Sequence, residues 1–146
     1  MEAELPADQL ECTLAIIKPD AVERGLIGVI VKRIEDERFT IAGMRLVRLT
    51  KREAEGFYAV HRARPFFSAL TDFMSSGPAV VLALQGEAAI SRWRLLMGAT
   101  NPSEAGPDTL RRLYGSSIDR NATHGSDAPE TAAFEIGYFF AGSDFI

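Results

Sequence analysis

Two almost unbroken apolar runs, Cys12 to Ile17 and Ala79 to Leu84, constrain this chain more than any other feature. The first stops at Lys18-Pro19-Asp20 and reads as a buried strand, because Pro19 has no N–H to give a ladder. The second follows the breaker Ser76-Gly77-Pro78, and its composition suits a strand buried on both faces. Between and beyond them the pattern turns helical. Asp20 can cap a helix in which Val22, Leu26, Val29, Ile30 and Ile34 share a face, with Glu35 to Arg38 as its solvated end. Ile41 to Leu49 reads as a further strand with imperfect alternation. Thr50 and Glu53 have capping-box spacing for a helix through Val60, and Pro65 suits the first turn of another. Glu87 to Met97 and Glu130 to Phe140 are predicted helices, the latter with Ala133, Ile136 and Phe140 on one side. An irregular stretch from Gly98 to about Thr123 separates them; loops that long in a compact domain are usually functional or disordered.

Alternating strands and helices argue for an α/β or α+β sandwich, and a split βαβ arrangement of the ferredoxin-like kind suits this length and order. The chain of 146 residues is long enough for one domain with a real core. Residues 1–11 read as an acidic N-terminal arm and 12–146 as the single domain. A net charge of -4 argues against a general nucleic-acid binder, although it leaves room for a local basic pocket. With one cysteine no internal disulfide forms, the N-terminus lacks an apolar signal core, and no apolar run is long enough to cross a bilayer. A cytoplasmic protein without a membrane segment is the expectation.

Of two histidines, His124 stands in the run Asn121-Ala122-Thr123-His124-Gly125-Ser126-Asp127, among small and polar neighbours. Gly125 is expected to leave its ring uncrowded and to supply unusual torsions. Such an imidazole can be a base, a nucleophile, a metal ligand or a solvated loop residue. Cys12 and His61 show no ligand-like spacing with it, so no protein metal site is expected. Arg94, Thr100, Arg111 and Asn121 bracket the long stretch, and Lys18 sits at the end of the first strand. Guanidinium forks, hydroxyls and amides can together cage phosphate oxygens. Each also has an ordinary reading: Arg94 and Arg111 as solvated helix charges, Tyr58 and Phe66 as core rings, Glu135 and His61 as surface residues. The chain carries neither a P-loop nor a Rossmann fingerprint, so phosphate would have to be handled another way.

Five ordered segments go further: Thr13 to Asp20, Gly56 to His61, Arg64 to Phe67, Met97 to Pro102 and Asn121 to Asp127. Together they resemble the nucleoside diphosphate kinases, collinearly from about Glu11 to Phe140. The resemblance implies Mg²⁺-dependent transfer of a γ-phosphoryl group from a nucleoside triphosphate to a nucleoside diphosphate through phosphohistidine at His124, on the δ nitrogen. By the same match Lys18 and Asn121 contact the sugar hydroxyls and the transferred phosphate, and Arg94, Thr100 and Arg111 hold the phosphate chain. Phe66 stacks on the base beside Leu70 and Ile118, which implies broad base tolerance. Tyr58 supports Lys18 and the histidine, Glu135 orients the imidazole, and Asp127 is the carboxylate near magnesium's waters. Arg112-Leu113 and Asp119 depart from the usual pattern, in a loop that relatives use for subunit contacts, so they bear on assembly. The short tail after Phe140 points to a bacterial-type homo-oligomer, a tetramer built from dimers with a hexamer as the alternative. A catalytically weak nucleotide-binding relative and an RNA-binding module are the competing classes. Intact site positions count against the first; acidic charge and the missing aromatic RNA motif count against the second.

Overall fold

The computed structural model describes residues 10–145. Its centre is a four-stranded antiparallel sheet in the order β2-β3-β1-β4. Strand β1 is Leu10–Ile17, followed by helices α1 (Pro19–Glu23) and α2 (Ile27–Asp36), then β2 (Thr40–Val47). Helices α3 (Lys51–Phe57) and α4 (Phe67–Met74) lead to β3 (Ala79–Glu87), and α5 (Ala89–Met97) follows. The short α6 (Leu110–Tyr114), β4 (Thr123–Gly125) and α7 (Pro129–Phe139) complete the chain. This is the ferredoxin-like βαββαβ sandwich, with α3 and α4 inserted between β2 and β3.

The apolar run of β1 faces two cores because its side chains alternate. Ala15 and Ile17 join Ile30, Ile34, Leu82, Leu84 and Trp93 under α2 and α5. Leu14 and Ile16 join Phe57, Met74, Val81 and Phe139 under α3, α4 and α7. Helices therefore cover both faces, which is why neither central strand needs a polar side.

Local signals survive well where they are strong. Thr50 and Glu53 form the reciprocal capping box expected of them. Elsewhere the structure corrects the reading. The helical pattern from Asp20 to Asp36 is two helices, because Gly25 takes a φ of 72° and turns the chain between them. Asp20 does not cap α1: Lys18 is the N-cap residue, and the Asp20 carboxylate instead accepts from the backbone N–H of Ala122. Pro65 precedes α4, whose cap position is Phe66. On α7 the buried residues are Ala132, Glu135 and Phe139, so the face is rotated from the predicted one and Ala133 is exposed. The irregular stretch contains a 3₁₀ turn, Pro102–Glu104, and α6. Strand β1 starts at Leu10, two residues early, and the rest of the expected arm lies outside the described residues. No described helix is long and apolar enough to cross a membrane.

Candidate active site

Strand β4 places His124 opposite Ile16 on β1, at an edge of the sheet. Its register turns the ring toward the α3 and α7 side, where Phe57 and Tyr58 stand edge-on to it at 5.4 and 5.9 Å. The backbone is clamped from the other side. Trp93 Nε1 donates to the His124 carbonyl at 3.0 Å, and a Cβ on Gly125 would lie 2.5 Å from the Trp93 ring. Gly125 is thus needed for close packing of β4 on α5, not for an open ring face. The residue with left-handed torsions is Ala122, at φ 72°. Such a conformation costs a non-glycine residue about 1–2 kcal/mol. The Asp20 carboxylate on the Ala122 N–H and the Lys18 N–H on the Ala122 carbonyl hold it there.

One imidazole nitrogen is committed. His124 Nε2 lies 2.9 Å from Glu135 Oε1 on α7, and the Ser126 hydroxyl donates to the same oxygen at 2.9 Å. Ser126 Oγ in turn accepts from the Leu14 N–H of β1. An ionised carboxylate only accepts, so the neutral ring carries its proton on Nε2 and keeps the Nδ1 lone pair. That ring is oriented, with one nitrogen held and a lone pair left on the other.

His124 belongs to a cleft of about 690 Å³ also lined by Lys18, Phe66, Arg94, Arg111 and Asn121, among others. Lys18 Nζ donates to Asn121 Oδ1 at 2.8 Å, and Asn121 Nδ2 donates to the Thr100 carbonyl at 3.0 Å. Arg111 is buried; its two terminal nitrogens donate to the Gly98 and Thr123 carbonyls. Its Nε and the Tyr58 hydroxyl are buried without a partner among the described residues. Burial, then the Arg111 cation, lowers Lys18 to about 8, and burial beside Arg94 lowers Arg111 from its ordinary range. Three crowded cations and two unspent donors make a site that attracts a polyanion.

A profile of the nucleoside diphosphate kinases matches residues 11–145. The chain is 61% identical over 131 residues to nucleoside diphosphate kinase of Desulfosudis oleivorans, covering 90% of this chain and 94% of that one. The enzyme of Pelobacter propionicus is 60% identical over 131 residues, with 90% and 96% covered. This chain belongs to the nucleoside diphosphate kinase family. Its fold superposes on the Aquifex aeolicus nucleoside diphosphate kinase with a TM-score of 0.93 and 44% identity, covering 94% of this chain and 99% of that one. The Halobacterium salinarum enzyme, solved in complex with CDP, gives 0.89 and 38% identity, with 93% and 91% covered. The chain is therefore an enzyme of nucleotide metabolism with nucleoside diphosphate kinase activity.

All nine residues singled out from the sequence as catalytic or nucleotide-binding (Lys18, Tyr58, Phe66, Arg94, Thr100, Arg111, Asn121, His124 and Glu135) line this one family cleft. Leu70 and Ile118 line it too. Several ordinary readings fail. Glu135 is buried against His124 and not a surface carboxylate, and Arg111 is no solvated helix charge. Arg94 is exposed, but pairs with Asp127 at 2.8 Å. His61, expected on the surface, is half-buried in the cleft, and Asp119 lines it as well, so that departure is not confined to assembly. Sequence reasoning missed the supporting roles of Ser126, Asp20 and Trp93. Only the place of Ser126 two residues after the histidine hinted at one of them.

Proposed function

We propose that this enzyme passes the γ-phosphoryl group of a nucleoside triphosphate to a nucleoside diphosphate through a phosphohistidine on Nδ1 of His124. The observation that carries this is the bond between His124 Nε2 and the buried Glu135, which leaves Nδ1 unprotonated in a cationic cleft. The Nδ1 lone pair attacks the γ-phosphorus, and the bond to the β–γ bridging oxygen breaks with its electrons leaving on the diphosphate. The ring gains positive charge, which Glu135 balances through the Nε2 proton. A terminal oxygen of the acceptor diphosphate then attacks phosphorus, and the P–N bond electrons return to Nδ1. Donor and acceptor use one site in turn, so the kinetics are ping-pong. Transfer of this kind depends on in-line positioning and charge stabilisation, the work assigned to Lys18, Arg94, Thr100, Arg111 and Asn121. Phe66 would stack on the base beside Leu70 and Ile118, a contact every base can make, so base tolerance is broad. Tyr58, edge-on to His124, would hold the imidazole and the neighbouring Lys18 in place.

Magnesium is the divalent ion we assign. Among the described residues no group of three or more His, Cys, Asp or Glu could cage a metal, and the exposed Asp127, paired with Arg94, is the cleft carboxylate we assign to the ion's waters. That donor set suits an ion that keeps its waters and rides on phosphate oxygens, where it would neutralise their charge. Isolating the protein after incubation with γ-labelled ATP and Mg²⁺, then adding unlabelled GDP, tests the reading. An acid-labile label that moves into GTP is the expected result; an unlabelled protein contradicts it.

Lys18 makes a pH prediction. Its pKa near 8 lies below the 10.5 of a free lysine, so between those values the unfolded chain holds a proton that the empty native site has released. Stability from this group therefore rises with pH across that window. Bound phosphate favours the charged lysine, so nucleotide binding takes up a proton above about pH 8 and weakens as pH rises further. Calorimetric titrations with nucleoside diphosphate should depend on buffer ionisation enthalpy at pH 9 and much less at pH 7. Equal heats in all buffers at pH 9 would sink the assignment.

We also propose a homo-oligomer, a tetramer by preference. Edge strand β2 leaves Met44 54% and Leu46 67% exposed, which a second copy would cover. Light scattering that gives the mass of one chain would contradict it. A reducing, nucleotide-rich cytoplasm suits both the reaction and the unpaired Cys12.

A further inference from the structure

His61 has no part in the phosphate chemistry above, yet it lines the same cleft. It ends a 3₁₀ turn, Ala59–His61, whose backbone is tied on both sides: its N–H donates to the Tyr58 carbonyl and its carbonyl accepts from the Arg64 N–H, each at 2.8 Å. The imidazole stacks on Tyr58 at 6.4 Å and 28°, and meets the Phe66 ring at 5.5 Å and 56°. Tyr58 in turn stands edge-on to His124 at 5.9 Å. Four rings thus run without a break from the base platform to the nucleophile. Phe66 is 47% exposed, and His61 is its one aromatic neighbour among the described residues. Neither nitrogen of His61 has a hydrogen-bond partner among those residues.

An exposed ring that must stack on a base loses rotamer freedom when it binds, and a packed neighbour that has already removed that freedom strengthens binding. We propose that His61 is a positioning residue for the nucleobase, bracing Phe66 in its stacking orientation by ring packing and not by a hydrogen bond. The inference rests on the phosphotransfer reading. It differs from the role given to His124: among the described residues no carboxylate orients the His61 ring as Glu135 orients His124.

Ordering one side chain on binding costs about 0.5–1.5 kcal/mol, so losing the brace should weaken binding about two- to twelvefold. His61→Ala should raise KM and the calorimetric Kd for ADP, GDP and CDP by that same factor. The kcat at saturating nucleotide and the extent of His124 labelling should stay at wild-type levels. His61→Phe, which keeps a ring against Phe66, should restore affinity, and His61→Gln, which keeps only hydrogen-bonding atoms, should not. The proposal is overturned by an unchanged KM and Kd in His61→Ala, by rescue with Gln instead of Phe, or by a loss confined to one base. It is equally overturned by a fall in kcat with KM unchanged. A wild-type protein that binds these nucleotides but transfers no phosphoryl group counts against the phosphotransfer reading, while the Kd series still judges His61. A wild-type protein that binds none of them overturns both.

Discussion

Replacing His124 with alanine is expected to abolish phosphoryl transfer, lowering turnover by at least about four orders of magnitude while the fold persists. The size follows from the nucleophile's role: without it the covalent step has no acceptor atom, and positioning groups alone return only a small part of the rate. The cleft keeps Lys18, Arg94 and Arg111, so nucleotide affinity should change little. The side chain touches Phe57 and Tyr58 edge-on and holds one oxygen of Glu135, which keeps its bond from Ser126. Its loss should therefore cost about 2–3 kcal/mol of stability, the scale of a hydrogen bond to a charged group plus some packing. Steady-state assays, acid-labile labelling and a melting curve check all three statements. Turnover within a hundredfold of wild type, or label retained on the variant, would refute the assignment of His124.

The second large effect is expected at Arg111. Arg111→Ala should lower kcat by about 10²- to 10³-fold, the range seen when one fixed cation or oxyanion donor leaves an active site. From the sequence alone, little effect on folding would be expected. Burial changes that expectation. The guanidinium holds the Gly98 carbonyl at the end of α5 and the Thr123 carbonyl at the start of β4. Leaving two buried carbonyls unpaired costs about 1–3 kcal/mol each. Relief of repulsion from Arg94 and Lys18 offsets part of this. A net drop in melting temperature of about 3–10 °C should accompany the loss of turnover. Arg111→Lys, which keeps the charge but not the fork, should recover less activity than its charge alone would suggest. Wild-type melting in Arg111→Ala would show that the two carbonyl bonds contribute nothing, and wild-type turnover would remove Arg111 from the phosphate site.

The legible parts of the fold are those written in short-range chemistry. Pro19 ends β1, the Thr50–Glu53 box starts α3, and the aliphatic run of β3 declares a strand with both faces covered. Strand β4 hides because three residues show no period, and Thr123 and Gly125 look like loop residues until Trp93 packs on them. The α7 face is not legible because Glu135 is buried, and a carboxylate reads as solvated unless its partner is known. His61 failed the same way. Flanked by arginines it reads as surface, and only the turn after α3 folds it between Tyr58 and Phe66.

The residue types themselves determined the strand-helix alternation, the core, and, through several ordered motifs, the family to which the chain belongs. They also named the side chains that meet in the cleft. What they could not determine was how those side chains are tied. Leu14 reaches Ser126 across 112 residues of sequence, and Lys18 reaches Asn121 across 103. Glu135, one element further on, reaches Nε2 of His124 and not its other nitrogen. Such bonds form between groups that have no local relationship, and their strength depends on burial that only the packed chain creates. The tertiary structure alone turned a histidine in a small-residue run into an oriented imidazole, with one nitrogen held by a buried carboxylate.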